Sequence, residues 1–347
     1  MLVLVFFAVL EVFFQIYEYF NPRCDFMINP LSQDYDYVHK KQVCDSWVFR
    51  LIYIDPISGI SQSIPNQHSS AININSYGFR GQEILMEKPE DTYRIFVVGG
   101  STTFGIRSPD QKTIPGHLEQ NLNKLNFDKK IEVINAGIGG ITSTDELQLV
   151  TTKIVQFNPD LIIVFDGNND IVNFAGKTKN KWSDDAITLT WKQYLSFYKT
   201  PFVVGGIIDD AKASISLSIF NPNFVEIAQV WKKNMITICE LGKQQGFDTI
   251  VVLQQFLGTG NKTLSDFEKE NLETRYVTFS TQSLYDGYQL LADELNNLEN
   301  YCYKSSDFRN AFDDINESVY FDRVHVGPES NKILADKMVD LVVPIIE

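Results

Sequence analysis

The chain has 347 residues and a formal net charge of −14, with an isoelectric point near 4.8. That acidic balance excludes a nucleic-acid partner, because phosphate contact needs clustered Lys and Arg. A hydrophobic content of 44% against 21% charged residues excludes a disordered chain, and the length suffices for a large buried core.

Residues 1–20, MLVLVFFAVLEVFFQIYEYF, carry Glu11 and Glu18 and no Lys or Arg. About 20 apolar residues in a helix span a bilayer, so this stretch is expected to be a membrane anchor that tolerates Glu11 at a cost of roughly 2.5–3.5 kcal/mol. Neither a basic start nor a small-residue cleavage site is visible, so it does not read as a signal peptide. The competing reading is an apolar helix packed on the protein's own surface. Arg23, Lys40 and Lys41 are too few to fix an orientation. The four cysteines, Cys24, Cys44, Cys239 and Cys302, show no CxxC spacing and no neighbouring histidines. No metal site or cofactor is therefore expected; they form two disulfides if the chain is exported, or remain buried thiols.

Residues 21–90 mix Pro, Gly, Asn and aromatic residues without helical period and read as an irregular, partly β lead-in wrapping the main domain. From there the chain alternates strand and helix. Arg94–Gly99 is a short, β-branched and aromatic run closed by two glycines, a buried strand that delivers Ser101 to the carboxyl edge of a parallel sheet. A helix follows around Gly116–Leu125, then a strand over Ile131–Gly137. The next helix, Thr144–Phe157, has Thr144 as its N-cap and one apolar face. Asp160–Gly167 is a third buried strand. The stretch from Ile171 to Phe224, rich in Trp, Tyr and Phe, reads either as a lid or binding loop or as an added helical pair. A helix over about Val225–Gln245, a strand Thr249–Phe256, a long helical region over about Phe267–Leu298 and a last helix Glu329–Leu341 complete the pattern. Alternating strands and helices imply a three-layer α/β/α fold with a parallel sheet, occupying residues 91–347.

A hydrolytic serine needs a base that titrates near neutral pH, and histidine is the usual one. Of the four histidines, His325 stands three residues after Asp322, a spacing at which the carboxylate reaches the ring nitrogen facing away from the serine. Two further strand ends carry turn residues to the same sheet edge: Asn135-Ala-Gly-Ile-Gly-Gly140 and Gly167-Asn-Asn-Asp170. Backbone N–H groups at glycines and an asparagine amide are suitable donors to an oxyanion, although glycine and asparagine also populate ordinary turns.

Together these blocks resemble the SGNH (GDSL-like) hydrolase family. The resemblance covers about residues 94–341 and implies a flavodoxin-like sheet of five strands. It implies Ser101 as nucleophile, His325 as base and Asp322 as its orienting carboxylate, with Ser101, Gly140 and Asn169 forming the oxyanion hole. Asn75–Gly81 looks like the approach segment of membrane-anchored prokaryotic members. Gly100 replaces the family's usual aspartate and Val326 a common proline; neither change removes a catalytic group. The fifth strand, near Phe308–Ile315 or Val319–Phe321, is poorly defined. An α/β-hydrolase elbow needs Gly-x-Ser-x-Gly and lacks its last glycine here; no phosphate-binding glycine motif opens a helix.

The expected function is thus that of a serine ester hydrolase acting on O-acyl groups of cell-surface glycans, or on lipid or small esters. The domain is expected outside the cytoplasm and membrane-associated through residues 1–20. An O-acyltransferase using the same residues and an inert surface scaffold are the alternatives.

Overall fold

The computed structural model describes residues 2–20, 24–33, 35–46, 52–54, 61–173, 223–273 and 280–347. Helix α1 (Leu2–Phe20) is continuous. Among the described residues, however, no helix is long and apolar enough to cross a membrane. The expected spanning anchor is therefore corrected: Glu11, Gln15 and Glu18 divide the apolar run. The lead-in continues through helix α2 (Tyr37–Ser46), strands β1 (Ile52–Ile54) and β2 (Ser61–Ser63), and the antiparallel pair β3 (Gln67–His68) and β4 (Asn73–Ile74). A disulfide joins Cys24 to Cys44, and Phe26, Ile72, Ile74, Phe104 and Phe321 close a small apolar cluster beneath it.

The main sheet contains β5 (Thr92–Gly99), β6 (Lys130–Gly137), β7 (Leu161–Asp166), β8 (Asp248–Leu253) and β9 (Lys304–Asp307), all parallel, in the order β6-β5-β7-β8-β9. This is the flavodoxin-like order, with its switch point between the first and third strands. Buried β-branched side chains dominate the inner strands because helices cover both faces. Along β5, Phe96 and Val98 face one cluster while Ile95 and Val97 face the other. The first face is covered by α5 (Ser143–Thr152), α7 (Phe224–Gln245) and α9 (Thr281–Leu298), with Trp231 and Tyr288 fully buried. The second is covered by α4 (Ile114–Leu122) and α10 (Pro328–Ile346). Each fully buried Ile, Val or Leu contributes about 1.5–3 kcal/mol, so this two-sided burial fixes the sheet and hence its carboxyl edge.

Several boundaries differ from the sequence reading. The helix after β6 is capped by Thr142 rather than Thr144, through a capping box in which Asp145 returns a bond to the Thr142 backbone. The long helical region divides into α8 (Asp266–Glu273) and α9. The fifth strand is Lys304–Asp307, earlier than either expected position. It is a polar edge strand, paired among the described residues with β8 alone, and a Lys-Ser-Ser-Asp run carries no apolar signal. The Ile171–Phe224 stretch begins inside α6 (Asn168–Asn173) and ends at the start of α7; residues 174–222 lie outside the described residues, and with them the lid. A second disulfide, Cys239–Cys302, ties α7 to the segment before β9.

Candidate active site

β5 ends at Gly99, and Ser101 opens the short helix α3 (Ser101–Phe104) at the carboxyl edge. The glycines here serve close approach. A Cβ on Gly99 would collide with Thr103 and the Phe165 carbonyl, and one on Gly100 would collide with the Asn169 amide. Gly100, where the family usually has aspartate, thus lets that amide lie against the backbone beside Ser101. Thr102 Oγ1 donates to Gln254 Oε1 at 2.7 Å, anchoring α3 to the end of β8.

Ser101 Oγ lies 2.7 Å from His325 Nε2. On the other side of the ring, Nδ1 lies 2.7 Å from Asp322 Oδ2. A carboxylate only accepts, so Nδ1 carries the proton and Nε2 is left to accept from the serine. Asp322 Oδ1 accepts from the backbone N–H groups of Val324 and His325, each at 2.9 Å, a local turn that sets the three-residue spacing. Burial pushes the Asp322 carboxyl up, but the charge and hydrogen bond of His325 and the Arg107 guanidinium outweigh it and hold the group well below the usual carboxylate range. The loop is fixed from behind. Gln255 Nε2 donates to the Val324 carbonyl at 3.0 Å, and the Arg323 guanidinium binds the Leu272 carbonyl at the end of α8. A small open depression lined by Ser101, Gly105, Ile106, His325, Val326 and Asn331 reaches the Ser–His pair.

The two remaining expected residues lie on adjacent loops. Gly140, in the left-handed region at φ 82°, sits in the turn between β6 and α5. Asn169 is the second residue of α6, and its Nδ2 donates to the Ile141 carbonyl at 2.8 Å; an amide has two N–H donors, so one remains. Asp170 secures the same junction, accepting from Ser143 N at 2.8 Å and Ser143 Oγ at 2.5 Å. Behind it are buried Glu146 and Asp166, pushed well above the ordinary carboxyl range first by burial and then by neighbouring carboxyls. Among the described residues no group of three His, Cys, Asp or Glu side chains is placed to hold a metal.

Sequence reasoning did not find Arg107, Arg80 or the Glu146–Asp166–Asp170 group. Arg107 Nη1 donates to Asp322 Oδ2 at 3.1 Å across 215 positions, and nothing local marks it. Arg80, 4% exposed, forms an ion pair with Asp110 and donates to the carbonyls of Phe104, Gly105 and Ser108. A lone arginine in a turn-rich lead-in gave no signal of that role.

A five-stranded parallel sheet with a serine, a histidine and a carboxylate in one hydrogen-bonded row at its carboxyl edge defines the class: an α/β protein of flavodoxin-like topology. The family model for GDSL-like lipase/acylhydrolase matches residues 95–338. The chain belongs to that family and is an ester-bond hydrolase. Among solved structures it is similar to the acetyl xylan esterase AlAXEase (16% identity, TM-score 0.44, covering 72% of this chain and 99% of that one). It is also similar to a lipase/acylhydrolase from Enterococcus faecalis (13%, 0.43, 72% and 95%), and to LAE5, an alpha/beta hydrolase enzyme from the metagenome of Lake Arreo, Spain (12%, 0.45, 73% and 96%). No curated protein matches it.

Proposed function

We propose that Ser101 attacks the carbonyl carbon of an O-acyl ester while His325 Nε2 takes its proton and Asp322 stabilises the resulting imidazolium. The Ser101 and Gly140 N–H groups and the Asn169 amide receive the oxyanion. The imidazolium protonates the departing alcohol, leaving an acyl-serine, and water activated by the same histidine then releases the acid. The observation that carries this reading is the continuous Ser101–His325–Asp322 row, with both bonds at 2.7 Å. The substrate class proposed is O-acyl groups on surface glycans, or lipid or small esters. The test is labelling with a serine-reactive fluorophosphonate together with turnover of acetylated sugars and short-chain esters. Ser101 should be the labelled residue, and Ser101→Ala and His325→Ala should each remove nearly all turnover. An unlabelled Ser101 in folded protein sinks the assignment, and acyl transfer to a sugar hydroxyl in preference to free acid would make the enzyme a transferase.

We also propose that the enzyme works outside the cytoplasm at a lipid surface. Two disulfides support an oxidising compartment. Exposed Phe6, Val9, Phe13, Ile16 and Phe20 on α1 support insertion into the interfacial region of a bilayer. Liposome flotation should carry the full chain and not one starting at Cys24; equal flotation of both removes α1 from this role.

A further inference from the structure

Arg107 is a feature of the site that the ester mechanism does not use, and its placement is costly. It is a non-glycine residue at φ 69°, in the left-handed region that side chains avoid, and it is 8% exposed. Strained backbone persists where the surrounding structure over-determines it, most often at functional sites. The strain here aims a guanidinium from the loop just after Ser101 at the carboxylate of the Asp322 loop. Nη1 shares Asp322 Oδ2 with His325 Nδ1, and the guanidinium carbon lies 5.2 Å from the centroid of the Phe321 ring.

The other charged groups of the surrounding elements are engaged elsewhere. Asp110 pairs with Arg80, Lys112 with Glu329, and Arg323 binds the Leu272 carbonyl. The His117 ring meets the Pro328 carbonyl. Among the described residues Arg107 is therefore the cation that faces Asp322 from the nucleophile's side.

We propose that Arg107 is a positioning residue of the esterase: it holds the Asp322 carboxylate in line with His325 and partly offsets its charge, so setting how far into the acid range the enzyme works. The physical reason is direct. An unopposed Asp322 stabilises the imidazolium, which cannot accept the Ser101 proton; a neighbouring cation weakens that stabilisation and keeps the ring neutral to lower pH. The inference rests on the mechanism proposed above.

The test measures kcat/KM against pH for wild type, Arg107→Met and Arg107→Lys, with thermal midpoints. Met keeps the length and the strain while removing the charge. Arg107→Met is expected to move the acid limb up by about one pH unit, roughly tenfold in proton concentration, for one charge at this range. It should lower kcat about tenfold with KM little changed, since the Asp322 carboxylate is less well held. Arg107→Lys should keep the acid limb near that of wild type. An unmoved limb in Arg107→Met, or equal losses in both variants without a shift, overturns the proposal. If Arg107→Met does not fold, Arg107→Gly serves instead, because glycine adopts this φ freely. Millimolar guanidinium should then restore part of its kcat, and no restoration counts against the role. Ser101→Ala is run alongside: if it retains turnover, the catalytic reading itself has failed; if it is inert while Arg107 variants behave as wild type, only this inference has.

Discussion

At the residue scale the chemistry depends on a few close approaches. Asn169 reaches its place because Gly100 has no side chain and because Ile141 offers its carbonyl. In the proposed mechanism the amide is thus preorganised before charge develops, the condition under which an oxyanion donor is most effective. Asn169→Ala should cost about 10²–10³ in kcat with a small change in KM, measured by steady-state turnover of a short-chain ester. Near-wild-type kcat would mean the oxyanion is held elsewhere. Asp322 behaves in the opposite way to a buried lone carboxyl. Its folded pKa is depressed below the ordinary value of 3.8, so the stability it contributes is present above that value and lost only as pH falls through the lower folded one. Acidification to about pH 4 should therefore leave this carboxylate charged and its contribution to stability intact, which urea denaturation at about pH 4 and pH 7 checks.

At the scale of elements, the serine-bearing helix α3 is only one turn long and cannot hold itself in place by helix propensity. Arg80 does much of that work, binding the carbonyls of Phe104, Gly105 and Ser108 while its charge is met by Asp110. The lead-in is thereby a structural part of the site: Arg80 also bridges to Asn135 on β6. Arg80→Met removes the cation paired with Asp110 and one donor to each of three carbonyls, while Asn73 still donates to Asp110, and should cost about 3–5 kcal/mol, the usual penalty for breaking a buried pair from one side. Urea denaturation reads this, and an unchanged midpoint would assign the bonds no energetic weight.

For the whole molecule, the buried Glu146–Asp166–Asp170 group imposes a pH dependence on stability. Burial raises the folded pKa of Glu146 above its ordinary value of 4.5, so the folded state holds a proton that the unfolded chain gives up as pH rises above that value. Stability should fall from about pH 4.5 upward. Neither carboxyl oxygen of Glu146 has a hydrogen-bond partner among the described residues. Glu146→Gln should raise the thermal midpoint at pH 7 by a few degrees, on the order of 1 kcal/mol, with the gain vanishing near pH 4. A gain independent of pH would point to packing instead.

The strands β5, β7 and β8 were legible because sheet positions buried on both faces demand unbroken apolar runs, and Ser101, Gly140, Asn169, Asp322 and His325 stood out as candidates because they lie in glycine- and asparagine-bearing strand ends and a late Asp-x-x-His block. β9 was not, since an edge strand of Lys and Ser has no apolar pattern, and the Thr142 cap was misplaced by two residues because neighbouring threonines look alike in sequence. The membrane-spanning reading of residues 1–20 failed on the same kind of local count, which weighs apolar length more heavily than the acids that interrupt it.

What the sequence determined alone is the parallel α/β class and the candidates for the reactive groups, both set by local pattern and spacing. Tertiary structure alone decided which distant charges meet them. Arg107 and Asp322 lie 215 positions apart, as do no two residues of a local motif, and only the folded sheet edge brings the arginine to the carboxylate and Arg80 to the carbonyls behind the serine. Electrostatic partners are chosen by proximity in space, and proximity in space is what a linear pattern does not record.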